Sequence, residues 1–375
     1  MVNRTLLQFD RRTTSGRAAP GRVTLMLALA VLLMAPGTPA AAQDYLQPPE
    51  EASIFRLVTF QTTGNMRLGA TQGNGEHDIV DIHNAIMAMK AIQAAEVSNL
   101  PYIPADMKSL IEVGEESVNA VRNVYRAAVD LSASGALVDP GGERRVFHPY
   151  TSVRLRTPIP NPEKVFGMAS NYIEEGEEPA EIPSYFLKAV SGLIGPEDAI
   201  VRTSLLEDGG RNTHEPEFAI VIGRVTKNVT EEEAMDHVIG YMVHNDVTGR
   251  GLETGGTGTE GSSMTKGMDT FAPMGPYLTL KEDVPDPDNL QITTRLDGEV
   301  WPMPNAHTKF RVHSIARTVS FLSHIMTLQP GDIIATGVPA PTVVLRAGDT
   351  VEITIQRLGT LRNHVVATAA EAASQ

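Results

Sequence analysis

The stretch HEPEFAIVIGR (214–224) restricts what this chain can become more than any other. It sets Glu215 and Glu217 on either side of a proline and runs at once into an apolar strand. Strand side chains alternate, so the two glutamates share a face, one pleat apart. Ionised carboxylates beside a dry strand are costly unless something compensates them, and two so close raise one another's pKa. Asp246 ends the next apolar run, IGYMVHNDV (239–247), and converges on the pair if the two strands are neighbours. Three carboxylates in a chain without cysteine suit a hard divalent ion (Mg²⁺, Ca²⁺ or Mn²⁺) with waters completing its shell. The same spacing also fits a solvated strand edge, and spacing alone leaves both readings open.

The pattern around this stretch is that of an α+β protein, mainly β. IFRLVTF (54–60), MRLGATQ (66–72) and HDIVDI (77–82) read as strands, the first two joined by the turn TTGN. Helical spacing follows over 84–97 and 105–131, with Leu110, Val113, Val118, Val121 and Val124 on one apolar face. DPGGERRVFHPY (139–150) is rich in turn residues, and a domain boundary is expected there. A small α+β N-terminal domain (43–150) then precedes a second domain (151–375). The second domain shows strand patterns at 164–170, 217–225, 239–247, 290–298, 332–337 and 350–359, with helices only at 230–240 and 314–328. The glycine-rich segment 249–261 lacks the spacing of a phosphate-binding loop.

The first 42 residues differ in kind. Five arginines stand against one aspartate, a net +4, while the whole chain carries −14, so the remainder holds −18. That remainder repels phosphate backbones, which argues against a nucleic-acid partner. A basic start, the apolar run VTLMLALAVLLMA (23–35) and Ala40-Ala41-Ala42 form the pattern of a signal peptide cleaved after Ala42. The run is short for a bilayer span, an uncleaved anchor being the alternative. The Arg11-Arg12 pair lies far from the apolar run for a twin-arginine signal. Without cysteine the chain tolerates an oxidising compartment. The expectation is export to a periplasm or the medium, with no membrane attachment after cleavage.

Other polar residues admit two readings each. Lys266 is either an exposed lysine or a site cation. Lys188, inside the apolar run SYFLKAV, is either a snorkelling lysine or a site lysine. His307, His313 and His324 are scattered singly and read as surface or satisfied histidines. Glu174, Glu175, Glu177 and Glu178 form a charge run of the kind found in solvated loops.

The chain resembles the fumarylacetoacetate hydrolase family over roughly residues 54–369. Within the family it looks like the acylpyruvate hydrolases and 2-oxo-dioate hydratases that carry a small N-terminal domain. The resemblance rests on MRLGA, DMKSLIEVGEE, RTPIPNPEKVFGMASNY, FLKAVSGLIGPEDAIV, HEPEFAIVIGR, GYMVHNDVTGRGLE, KGMDTFAPMGPYL, MTLQPGDIIATGVP and LRAGDTVEITIQRLGTLRN, all in family order. It implies a mixed β catalytic fold, usually a homodimer, with a divalent cation, Mg²⁺ foremost, held by Glu215, Glu217 and Asp246. It implies that Lys266 stabilises negative charge on a 2-oxo acid substrate. The implied reaction is C–C hydrolysis of a 2,4-dioxo acid, or decarboxylation, hydration or isomerisation of a related acid, with the cation as Lewis acid.

The departures from the family pattern are specific. The family lid reads NYxxH with a glutamate three residues on; here NYIEEGEE puts Glu175 in the histidine's place and keeps Glu178. Either carboxylate would serve as the base only with a raised pKa. Val338 stands for a threonine that contacts the substrate carboxylate, and Gly251 for an acid. The missing histidine motivates an alternative from another class, a catalytically silent, metal-dependent small-molecule binding protein.

Overall fold

The computed structural model describes residues 51–73, 75, 77–172, 180–203, 211–251, 262–339 and 342–367. The expected signal segment 1–42 lies outside them. Among the described residues no helix is long and apolar enough to cross a membrane.

Strand Pro216–Ile222 is buried along its whole length, which is why it reads as a continuous apolar run rather than an alternating one. Its two faces serve two cores. Ala219 and Val221 join one apolar cluster, while Phe218, Ile220 and Ile222 join another. The neighbouring strand Val238–Asn245 divides the same way, with Met242 on the first side and Tyr241 and Val243 on the second. These strands lie within a twelve-stranded mixed sheet. Its main path runs through residues 147–148, 79–81, 66–72, 55–61, 272–280, 238–245, 216–222, 333–335, 165–169 and 184–188. Two short strands, Arg154–Leu155 and Leu193–Ile194, pair alongside it. A five-stranded sheet (299–301, 292–296, 350–355, 359–366 and 199–201) and a three-stranded one (248–250, 211–213 and 344–345) complete the β structure.

The first core packs the large sheet against three helices. Ile82–Ala91 starts at Asp81, whose side chain accepts from the Asn84 N–H at 3.0 Å. Met107–Val113 starts at Asp106 in the same manner, bonded to the Ser109 N–H at 3.0 Å. The single helix expected over 105–131 is two, because Gly114 adopts a φ of +104° and restarts the chain as Glu115–Ala133. The second core packs the sheet against the five-stranded sheet and helix Ile315–Ile325, capped by Ser314. The helix expected over 230–240 lasts only from Glu231 to Ala234, with its Thr230–Glu233 capping box, before the chain enters the Val238 strand.

Residues on both sides of position 150 build the large sheet. Phe55–Gln61 pairs with Met66–Gln72 on one side and with Ala272–Leu280 on the other. Arg56 reinforces that seam from a fully buried position. Its guanidinium lies 4.6 Å over the Tyr277 ring and donates to the carbonyls of Gly73 (2.8 Å) and Arg357 (3.0 Å).

His214 faces the five-stranded sheet, opposite in sense to the glutamate that follows it. Its Nδ1 accepts from the Val343 N–H at 2.8 Å, which leaves Nε2–H to donate to Thr294 Oγ1 at 3.3 Å. Burial lowers its pKa from 6.5 to about 4. The folded value lies below the unfolded one, so the unfolded chain takes up the proton first as pH falls. The stability tied to a neutral His214 is complete above about pH 6.5 and is lost towards pH 4, a change of about 3 kcal/mol. Urea unfolding of the wild type and His214→Gln across this interval checks the point. The stability difference between the two proteins is expected to shift by about that amount, and a pH-independent difference contradicts the assignment.

Candidate metal centre

Register alone brings the three acids together. Pro216 pairs with Asn245, so Glu215 and Asp246 lie across from one another just beyond the ends of their strands, and Glu217 faces His244 one step inward. The Asp246 N–H donates to the Glu215 carbonyl at 2.9 Å, and the Glu215 N–H to Asn245 Oδ1 at 3.0 Å. Pro216 has no N–H to offer the ladder and sits at the first position of its strand, where none is needed. The two glutamates continue the face that carries Ala219 and Val221. One carboxylate oxygen from each of Glu215, Glu217 and Asp246 lies within 4.8 Å of the others. The three residues are 3%, 1% and 0% exposed.

Three cations from three parts of the chain answer this charge. Lys266, closing the short helix Ser262–Lys266, donates to Glu215 Oε2 at 2.7 Å and to Asp246 Oδ2. Lys188, on the edge strand Ser184–Lys188, donates to Asp246 Oδ1 and, at 2.8 Å, to the backbone carbonyl of Lys266. Arg250 Nη2 reaches Glu215 Oε1 at 2.7 Å, where Thr248 Oγ1 also donates at 2.8 Å. Burial favours the neutral form of Asp246, yet Lys188 and Lys266 outweigh it and hold the carboxyl at about 2. Burial likewise opposes the charge on Lys266, but Asp246 and Glu215 raise its pKa above the usual lysine range.

Glu217 differs. Among the described residues no cation lies within ion-pair distance of it, and its Oε2 accepts from the Gly337 N–H at 2.8 Å. Burial, reinforced by the Asp246 charge, pushes its pKa well above the ordinary glutamate value. Gly337 can present that N–H because it has no side chain. Its φ is +94°, and a Cβ there would lie 3.2 Å from Asn171 Cβ. A hard divalent cation fits this donor set: three convergent oxygens, no sulfur or imidazole, and one buried carboxylate that makes no ion pair among the described residues. Glu215, Glu217 and Asp246 are the residues that would hold it.

The four residues expected at the metal end of the site, Glu215, Glu217, Asp246 and Lys266, are thus brought together. Glu175 and Glu178 lie outside the described residues. His307, His313 and His324 take no part in any metal-competent group among the described residues. The site also contains groups the sequence did not single out: Arg250, Thr248, Gly337 and His244. His244 is fully buried, with Nδ1 bonded to the Pro273 carbonyl at 2.9 Å and Nε2 without a hydrogen-bond partner among the described residues. Its only sequence signal is its place two residues before Asp246 on an apolar strand. Lys188, left open between surface and site, is a site lysine, its side chain fully buried.

Comparison with known proteins agrees with this geometry. The family model for the fumarylacetoacetate (FAA) hydrolase C-terminal domain matches residues 164–366. A mitochondrial oxaloacetate tautomerase of Xenopus laevis is 32% identical over 329 residues, covering 84% of this chain and 91% of that protein. Among solved structures, maleylpyruvate hydrolase from Sphingobium sp. SYK-6, in complex with manganese(II) ion and pyruvate, is similar with a TM-score of 0.61 at 29% identity. That match covers 83% of this chain and 99% of the other. A 2-hydroxyhepta-2,4-diene-1,7-dioate isomerase from Mycobacterium marinum follows with a TM-score of 0.57 at 27% identity, covering 84% and 100%. With the acidic triad, the mainly β architecture and a family match over more than half its length, the chain belongs to the fumarylacetoacetate hydrolase family.

Proposed function

We propose that this protein is a divalent-metal-dependent enzyme acting on a small 2-oxo acid, and that its reaction is hydrolysis of a C–C bond in a 2,4-dioxo acid. The observation that carries the reading is the buried triad of Glu215, Glu217 and Asp246 with the Lys266 ammonium against it. A divalent cation held there, Mg²⁺ by preference with Mn²⁺ or Ca²⁺ also suited, supplies Lewis acidity towards the oxygen on which negative charge develops. Lys266 adds a fixed positive charge at the same place, beside buried carboxylates where such a charge acts more strongly than in water. Arg250 and Thr248 hold Glu215 Oε1, while Lys266 holds Oε2. In the overall step, water adds to the C4 carbonyl and the C3–C4 bond breaks. Its electron pair passes to the pyruvate fragment, which is protonated at C3, and a carboxylic acid is the second product. Glu175 and Glu178 are the proposed water-activating acids, on sequence grounds alone.

A second reading is keto–enol tautomerisation of oxaloacetate, favoured by the Xenopus laevis relative. It needs the same charge stabilisation but no attacking water. We also propose that the chain is exported and acts as a homodimer. The arginine-rich start with its apolar run supports the first, and the family resemblance the second.

Offering the Mg²⁺- or Mn²⁺-loaded protein acylpyruvates and enol-oxaloacetate separates the two chemistries. Hydrolysis is expected to release pyruvate from the acylpyruvates. Loss of the enol signal without pyruvate release supports the tautomerase instead. Metal-dependent ligand binding with neither reaction would leave only the binding-protein reading.

Glu217→Gln tests the triad without relying on turnover. The wild type is expected to gain about 2.7 kcal/mol of stability from Mn²⁺ at about 100 times its dissociation constant. The variant is expected to lose most of that gain. Without metal, Glu217→Gln should be at least as stable as the wild type, because burial and the Asp246 charge disfavour a carboxylate there. Calorimetric unfolding with and without Mn²⁺ checks both expectations, and a metal-free variant much less stable than the wild type would contradict them.

A further inference from the structure

Lys266 presents a problem of placement. Its ammonium must stand against Glu215 and Asp246, yet it hangs on a flexible four-carbon stem that carries about 2 kcal/mol of rotamer entropy. The helix that bears it is only five residues long. The edge strand Ser184–Lys188 answers this from one face, where residues 186 and 188 project together. The Phe186 ring lies under the ammonium, with Nζ 4.9 Å from its centroid. The Lys188 ammonium bonds the backbone carbonyl of Lys266 at 2.8 Å and also the Asp246 carboxylate that the Lys266 tip contacts. One strand therefore grips both ends of the same residue.

The ring is itself held from behind. Phe186 pairs with Gly167 on strand Val165–Ala169. A Cβ on Gly167 would fall 2.2 Å from Phe186 Cζ and 2.6 Å from Cε2. The ring occupies the space that a side chain at 167 would need, and any side chain there pushes it off its place.

We propose that Phe186 and Lys188 are positioning residues that set the Lys266 ammonium against the acidic triad, and that Gly167 keeps the Phe186 ring in register for it. The proposal rests on the reading of Lys266 and the triad as the reacting centre. Neither Phe186 nor Lys188 is asked to touch substrate; they act through Lys266. A misplacement of about 1 Å at such a group lowers turnover by up to roughly 100-fold.

The test uses the full chain with Phe186→Leu, Phe186→Tyr, Lys188→Met and Gly167→Ala. Turnover is measured with Mn²⁺, Mn²⁺ affinity by calorimetry, and the Lys266 ¹⁵Nζ–H signal by NMR on the metal-free protein. That signal survives only while the ammonium is held out of exchange with water, and Lys266→Arg assigns it. Phe186→Leu and Gly167→Ala are expected to lower kcat about 10-fold or more, with KM and Mn²⁺ affinity within about threefold of wild type. The Lys266 signal should be lost in both and in Lys188→Met, while Phe186→Tyr keeps the signal and most of the turnover. A wild-type signal in Phe186→Leu and Lys188→Met overturns the proposal. So does loss of kcat in step with Mn²⁺ affinity, which would make these residues supports of the metal ligands instead. If the wild type binds Mn²⁺ but converts no 2-oxo acid, the functional reading fails, and the NMR signal still decides the positioning.

Discussion

Three carboxylates taken out of water at one end of a sheet set the terms for everything around them. Charges buried in this way persist only when cations, hydrogen bonds or a metal answer them. Here the answers come from places far apart in the chain: the edge strand at 184–188, the strand ending at Arg250, and the short helix ending at Lys266. Closing the site is therefore the same event as closing the fold. Glu217, which makes no ion pair among the described residues, is the carboxylate whose charge burial disfavours most. It is also where a bound divalent ion contributes most.

The alternation of a strand does two jobs with one pattern. Along Pro216–Ile222 the odd positions pack Ala219 and Val221 against the helices and then deliver Glu217 and Glu215 to the site. The even positions pack Phe218, Ile220 and Ile222 against the second sheet and then deliver His214 to Thr294. A slip of one residue would exchange the two sets, burying carboxylates in an apolar core. Register is thus pinned from both faces, and a chemical site at the strand end inherits that definition without a support of its own.

Much of this was legible in the sequence, for identifiable reasons. The E-x-E pair and Asp246 stand out because acids bordering apolar runs violate the ordinary pattern, and the family landmarks resolve the ambiguity that spacing leaves. Most strand cores were legible too, from unbroken apolar runs. Strand Ala272–Leu280 was not, since FAPMGP carries two prolines and reads as turn. Tertiary pairing on both its edges overrides that local signal. The break at Gly114 was hidden because the apolar spacing carries on through it. Lys188 could not be assigned because a lysine in an apolar run looks the same whether it snorkels to solvent or meets a buried acid. Only the partner decides, and Asp246 lies 58 residues away.

The pairing of Phe55–Gln61 with Ala272–Leu280 has a consequence for how the molecule comes to exist. A ribosome emits the first of these strands roughly two hundred residues before the second. At about 5–20 residues per second, that interval is on the order of 10 to 40 s. Meanwhile the early strand can pair with Met66–Gln72 on one edge and with Arg154–Leu155 at one end of the other, and the helices that follow can cover its apolar face, while Arg56 and Leu57 still wait for their partners on the open edge. The nascent chain thus presents part of an unpaired strand edge until the late strand arrives, and such an edge is a template for pairing with other chains.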